Sequence, residues 1–128
     1  RGDIEEMNIR ECYDAIGADF EDVIGRLGSE ALVQRFAIKF IDDGSYSALE
    51  TALGEGDAET AFRAAHTLKG VCRNLGIERL AGSAEIITEV LRKEQETVPE
   101  EAAALLEDVK KDYQEAAEAI RTYIASET

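Results

Sequence analysis

Apolar residues recur at three- and four-residue spacing along most of the chain, and no segment of useful length alternates apolar with polar residues. The first pattern predicts helices that bury one face, whereas alternation would be typical of half-buried strands. Near the beginning of the chain, the pattern predicts two short helices, over residues 4–16 and 20–27. The predicted fold class is therefore all-α.

Longer helices follow, and residue types that start or stop helices lie at their ends. Ser29 is a candidate N-cap for a helix over residues 29–53, which Gly44 either breaks or bends. Asp57 is the N-cap candidate for the next helix, over residues 57–75, and Gly76 stands where a left-handed residue commonly ends a helix.

Two further helices complete the predicted set. One covers residue 78 to about residue 95, and a Thr97-Val98-Pro99-Glu100 capping-box pattern precedes a long last helix. Because short connections force consecutive helices to be antiparallel, we expect an antiparallel up-down four-helix bundle, with the short N-terminal helices capping one end. No long linker or internal repeat interrupts the pattern, so residues 1–128 are predicted to form a single domain.

Composition and charge narrow the function. The 128 residues include 45% apolar and 33% charged residues, a balance typical of globular proteins, and the longest apolar run is five residues, too short to span a membrane. The net charge of −14 disfavours binding to nucleic acid or to anionic lipid, since both need clustered cations. Two cysteines do not make a disulfide scaffold, which favours a cytoplasmic protein.

The chain contains one histidine, His66, in the helix predicted over residues 57–75. A helix turns about 100° per residue, so its apolar residues fall on the side opposite His66. This stripe comprises Ala61, Ala64, Leu68, Val71, Cys72 and Leu75. If the stripe faces the core, His66 points into solvent.

The surface around His66 is locally positive in an acidic chain. Arg63, Lys69 and Arg73 lie on the same side of the helix, and no acidic residue occurs between Phe62 and Leu75. Such cations would offset the charge of a phosphoryl group on the imidazole. An ordinary solvated helix face is the alternative, in which Arg63 and Arg73 pair with acids on other helices.

Two other residues of this side suggest protein contact. Phe62 and Gly70 lie one turn before and after His66. Gly70 costs helix stability but lets a partner approach closely, and Phe62 offers an apolar contact. Phe62 could instead fold back over a short N-terminal helix. The predicted docking residues on this side are Phe62, Arg63, Thr67, Gly70 and Arg73. These five residues, together with His66 and Lys69, are called the His66 face below.

The stretch Ala65-His66-Thr67-Leu68-Lys69-Gly70, followed by Asn74-Leu75-Gly76, resembles the signature of histidine-containing phosphotransfer (HPt) domains. The wider resemblance covers about residues 29–93. It implies a four-helix bundle that relays a phosphoryl group between a histidine kinase and receiver domains of response regulators. It also implies His66 as phosphoacceptor, Lys69 as the residue that stabilises the phosphorylated form, and Gly70 as the small docking residue.

The resemblance further implies a monomer with no cofactor of its own, because the receiver domain supplies Mg²⁺. The sequence departs from the family pattern at Arg73, where a smaller residue is usual, and this affects partner preference rather than chemistry. Without a nucleotide loop, autonomous kinase activity is not expected.

Other functions have weaker support in the sequence. One histidine and two distant cysteines cannot make a usual zinc site, and a calcium loop at residues 55–60 lacks its glycine. Cys72 is predicted to be a core residue, while the roles of Cys12 and the acidic C-terminal helix stay open. A helical adaptor or inhibitor that acts only by binding is the main alternative, and a hydrolase using His66 as a base is a remote one.

Overall fold

A computed structural model of the chain describes residues 7–127. Every regular element within these residues is an α-helix. The helices are α1 (Ile9–Ala15), α2 (Phe20–Leu27), α3 (Glu30–Ile41), α4 (Ser45–Gly54), α5 (Ala58–Asn74), α6 (Glu78–Lys93) and α7 (Ala102–Glu127). The predicted all-α class is confirmed. The first part of the predicted helix over residues 4–16 lies outside the described residues.

Local capping fixes where several helices begin. The Ser29 hydroxyl accepts a hydrogen bond from the Leu32 N–H (3.2 Å), and the Asp57 carboxylate accepts one from the Thr60 N–H (3.1 Å). Each bond satisfies a donor that the first helical turn leaves free. Both predicted N-caps are confirmed.

The helix predicted over residues 29–53 is two helices, so five helices rather than four follow α2. At the end of α3, the N–H groups of Asp42 and Asp43 bond to carbonyls three residues back, which closes the helix. The Asp43 carboxylate then accepts a hydrogen bond from the Ser45 N–H (2.8 Å), at the start of α4. Of the two alternatives at Gly44, the structure has the break.

The predicted capping box at residues 97–100 is wrong. Helix α7 begins at Ala102, whose N–H donates to the Pro99 carbonyl (3.1 Å), so a tight turn precedes the helix. The Thr97 N–H instead donates to the Glu94 carboxylate (3.4 Å). Thr97 and Glu100 therefore belong to the connection between α6 and α7.

Helices α4 to α7 pack so that each contacts two others of the four. Helix α5 lies between α4 and α6, and α7 contacts both α6 and α4. Leu49, Leu68, Leu91 and Ile120, one from each helix, are all 0% exposed. Helices α3 and α1 also contact α7, and α2 contacts α1 and α3.

Helix α2 holds the C-terminal end of α5. The Arg26 guanidinium donates to the carbonyls of Arg73 (2.7 Å) and Asn74 (3.3 Å), which lie in the last turn of α5. Carbonyls at a helix C-terminus lack partners within the helix, so a cation there is favourable for both bonding and charge. Gly76, directly after this turn, is buried against Val23 of α2.

Replacing Gly76 by Ala is expected to lower the free energy of unfolding by about 2–5 kcal/mol, measured by denaturant unfolding. Gly76 has the predicted left-handed backbone (φ +71°), and an added Cβ would overlap the Val23 side chain. Gly56 has nearly the same backbone (φ +73°) but open space above it, so Gly56→Ala is the matched control. Equal losses in the two variants would contradict the packing argument.

Candidate functional site

Helix α5 presents His66 to solvent, as predicted. On the opposite side of the helix, Ala61, Leu68 and Cys72 are all 0% exposed. The prediction that Val71 also faces the core is only partly right, because Val71 is half-buried at the edge of the stripe. The buried side fixes the rotation of α5, and this rotation determines that His66 is exposed.

The Asp57 carboxylate places a negative charge at the N-terminus of α5. Hydrogen bonds from Thr60 hold the pKa of Asp57 below its usual value, so this N-cap stays ionised in mildly acidic solution. A negative charge at a helix N-terminus is favourable because the free N–H groups carry partial positive charge. The acids at residues 55–59 therefore support the helix start, and no cluster of possible metal ligands occurs in residues 7–127.

An aromatic stack adjoins the His66 imidazole. The Phe62 and His66 ring centroids are 6.0 Å apart, with an angle of 23° between the ring planes. The guanidinium carbon of Arg92, from α6, lies 5.0 Å from the centroid of the Phe62 ring. Phe62 is half-buried, and this contact links it to α6.

The three predicted cations differ in whether they form ion pairs. Arg63 pairs with Glu59 of the same helix (2.6 Å), and Arg73 pairs with Glu85 of α6 (2.7 Å). Their charges are therefore largely offset. For Arg73 this is the alternative given above, an acid on another helix, whereas the acid that pairs with Arg63 lies on α5 itself. Lys69 is half-buried, and no acidic side chain in the described part of the chain forms an ion pair with it. Lys69 is the cation of this group that is free to meet an incoming anion.

Gly70 and Thr67 are both exposed beside His66. A Cβ added at Gly70 would meet nothing within 4 Å outside its own helix, so packing within the protein does not require glycine there. A helical glycine without a structural reason is costly, since Gly lowers helix stability by about 0.5–1 kcal/mol relative to Ala. The open space above Gly70 leaves the approach to His66 unobstructed.

A shallow apolar cavity of about 200 Å³ continues the exposed surface of α5 beyond Gly70. Its lining includes Phe36 and Lys39 of α3 and Val71 and Leu75 of α5. Sequence reasoning missed the α3 residues, because the periodicity of one helix does not reveal which neighbour lies beside it. The half-buried state of Val71 follows from this cavity.

Both cysteines are buried and free. Burial raises the pKa of the Cys12 thiol to about 12 and also raises that of Cys72, so neither is poised as a thiolate. Cys72 is a core residue, as predicted. Cys12, whose role the sequence left open, belongs to the core as well.

No helix of the described residues is both long and apolar enough to cross a membrane. A search of curated proteins and a search of solved structures each found no significant match. A scan against protein families matches the Hpt domain over residues 45–123, from α4 into α7. The chain therefore belongs to the Hpt domain family, whose members have a phosphotransfer role in two-component signalling.

Proposed function

We propose that this chain is a histidine phosphocarrier, in which His66 receives a phosphoryl group from one two-component partner and passes it to another. The observation that carries the proposal is the exposure of the single histidine on α5, near Lys69, which forms no ion pair with any acid of residues 7–127. The partners are the receiver domain of a response regulator and a histidine kinase or hybrid kinase. Hpt domains interact with both kinds of partner.

The transfer step needs only a neutral imidazole and an aligned donor. An imidazole nitrogen lone pair attacks the phosphorus of a receiver aspartyl phosphate, the P–N bond forms, and the P–O bond to the aspartate breaks. The aspartate leaves as a carboxylate, and the other imidazole nitrogen keeps its proton. The reverse step returns the phosphoryl group to the aspartate of the next receiver. Such transfers depend mainly on positioning and charge stabilisation.

We assign the charge stabilisation on this side to Lys69, whose ammonium pairs with no acid in the described part of the chain. The receiver domain would bring the Mg²⁺ and the acceptor carboxylate, so no cofactor is assigned to this chain. Arg63 and Arg73 keep a docking role in the proposal, but their ion pairs with Glu59 and Glu85 must rearrange or be shared with the partner.

The remaining His66-face residues form the proposed docking surface. Phe62, Thr67 and Gly70 surround the imidazole, and the cavity beside Val71 extends the surface toward α3. We also infer that α4 to α7 form an antiparallel four-helix bundle within one domain, in which α4 takes the place of the helix predicted over residues 29–53. A monomer in the cytoplasm suits this role, and two free thiols fit a reducing compartment.

The test offers the purified protein to a panel of receiver domains charged with acetyl phosphate, and to histidine kinases with ATP. We expect an acid-labile, base-stable label on this chain from at least one donor. A protein that binds a receiver or kinase tightly but takes no label from any donor would instead be an adaptor or inhibitor. An acid-stable label would contradict a phosphohistidine.

A Lys69→Ala variant is expected to transfer roughly tenfold more slowly or to lose its label roughly tenfold faster, since a charged hydrogen-bond partner of the phosphoryl group is lost. Thermal melting should change little, because Lys69 forms no ion pair among residues 7–127. Arg63→Gln is the matched control on the same helix, and it should have a smaller effect because Glu59 already offsets the Arg63 charge. Equal effects of the two changes would contradict the assignment to Lys69.

A further inference from the structure

Arg92 of α6, which lies outside the predicted His66 face, contacts the aromatic ring that stacks with the His66 imidazole. The Arg92 guanidinium lies over the Phe62 ring, and the Phe62 ring is stacked with the His66 ring at a small interplanar angle. Arg92 is itself held by Glu89, with its Nε 3.2 and 3.3 Å from the two carboxylate oxygens. These contacts form a chain from α6 to the reactive group of α5.

Each contact in this chain has a recognised attraction. A guanidinium above an aromatic face is attracted by the negative potential of the ring, and stacked aromatic rings gain contact area and favourable quadrupole alignment. The Glu89 carboxylate limits the range of Arg92 positions, although this exposed pair contributes little stability by itself. The result is a Phe62 ring that is restrained from a second helix.

Stacking restrains the imidazole without blocking it. The nitrogen lone pair lies in the plane of an imidazole ring, whereas a stacked partner covers a face of the ring. Phe62 therefore limits rotation of the His66 ring without covering the ring edge that carries the lone pair, and the His66 side chain is exposed. Restricted orientation of a nucleophile favours the in-line approach that phosphoryl transfer requires.

We propose that Arg92, acting through Phe62, is a positioning residue for His66, which orients the imidazole toward the phosphoryl group of a docked receiver. This proposal rests on the proposed function and deepens it. It gives Phe62 a task within this chain in addition to contact with the partner. Neither residue touches the reacting atoms, so the expected effect is on the rate of transfer within the docked complex.

The chain provides a matched control for this arrangement. Arg10 lies over the ring of Phe20 at 4.7 Å and pairs with Glu21 at 2.6 Å, so it has the same kind of cation, ring and acid. This second stack involves α1 and α2 and contains no histidine. Arg10→Lys therefore makes the same chemical change as Arg92→Lys at a site without the nucleophile.

The experiment measures single-turnover transfer against receiver concentration, using the receiver of the panel that transfers fastest, charged with acetyl phosphate. We expect the saturating rate to fall about threefold for Arg92→Lys, with the half-saturating concentration unchanged, and about tenfold for Phe62→Leu, whose half-saturating concentration also rises because Phe62 contacts the partner. Phe62→Tyr should restore the rate because it keeps the ring. Arg10→Lys should behave as the unaltered protein.

A second readout needs no partner. In proton NMR spectra, the carbon-bound ring protons of His66 should show a ring-current shift that Phe62→Leu removes and Arg92→Lys reduces, while Arg10→Lys leaves it unchanged. Unaltered His66 shifts in both Phe62→Leu and Arg92→Lys would overturn the proposal even if no receiver transfers. A raised half-saturating concentration with an unchanged saturating rate would also overturn it, because the two residues would then act in docking. Loss of the proposed function itself is distinguished by the absence of a His66-dependent label in the unaltered protein.

Discussion

A His66→Gln variant is expected to accept no phosphoryl group from any donor that labels the unaltered protein. Glutamine has a side chain of similar reach, but its amide nitrogen has no lone pair available for attack on phosphorus. Because His66 is exposed on the outer side of α5, the free energy of unfolding should change by less than about 0.5 kcal/mol. Acid-labile label and thermal melting, measured on the same preparation, check both parts.

An alternative acceptor is the hydroxyl of Thr67, the next residue in the chain, which is also exposed. Thr67→Ala is therefore the control, and it should keep its acid-labile label. If acid-labile label persisted on His66→Gln with the fold retained, His66 would not be the acceptor. The stability of the label to acid and base separates a phosphoramidate from a phosphate ester in either case.

The next largest effect is expected at Gly70, where function and stability should change in opposite directions. Gly70→Leu should slow transfer from a charged receiver roughly 100-fold, because a branched side chain one turn from His66 would overfill a closely packed interface. The same change should raise the free energy of unfolding by about 0.5–1 kcal/mol, since Leu is a much better helix former than Gly. A Cβ added at Gly70 would meet nothing within 4 Å outside its own helix among residues 7–127, so the first atom of the new side chain fits without a clash.

Gly25→Leu is the matched control for Gly70→Leu. Gly25 is an exposed helical glycine of α2 with open space above it, so Gly25→Leu should raise stability similarly and leave transfer unchanged. A graded series at Gly70, with Ala slowing transfer less than Leu, would support a steric cause. Transfer at the normal rate in Gly70→Leu would contradict close approach at this position.

The helices were largely predictable because helix starts and ends are decided locally. Ser29, Asp57 and Gly76 act at the helix ends through bonds or backbone angles within a few residues, and all three have their predicted roles. The connection before α7 was not predictable in this way, because the Thr97 pattern competes with a turn at Pro99. The break between α3 and α4 depends on Asp43 as well as on Gly44, so the glycine alone left two alternatives.

The exposed position of His66 was predictable because the apolar stripe of α5 fixes the rotation of the helix. The partners of the neighbouring charges were not, since Glu85 and Arg92 come from α6 and the periodicity of one helix carries no information about another. A signal for Arg92 did exist: Phe62 and Arg92 lie at nearly equal chain distances from the turn at Gly76. In two packed helices joined by a short turn, residues at equal distances from the turn lie side by side.

The contacts of α2 with the last turn of α5 bear on where this protein can be divided. Val23 and Arg26 precede the residues that match the family model. Val23 nevertheless packs against Gly76, and Arg26 donates hydrogen bonds to the carbonyls at the end of α5. A fragment trimmed to residues 45–123 would keep α5 with His66 but lose the contacts from α2 at the C-terminal end of α5. The smallest piece that folds with its full stability therefore extends upstream of the family boundary, at least to α2.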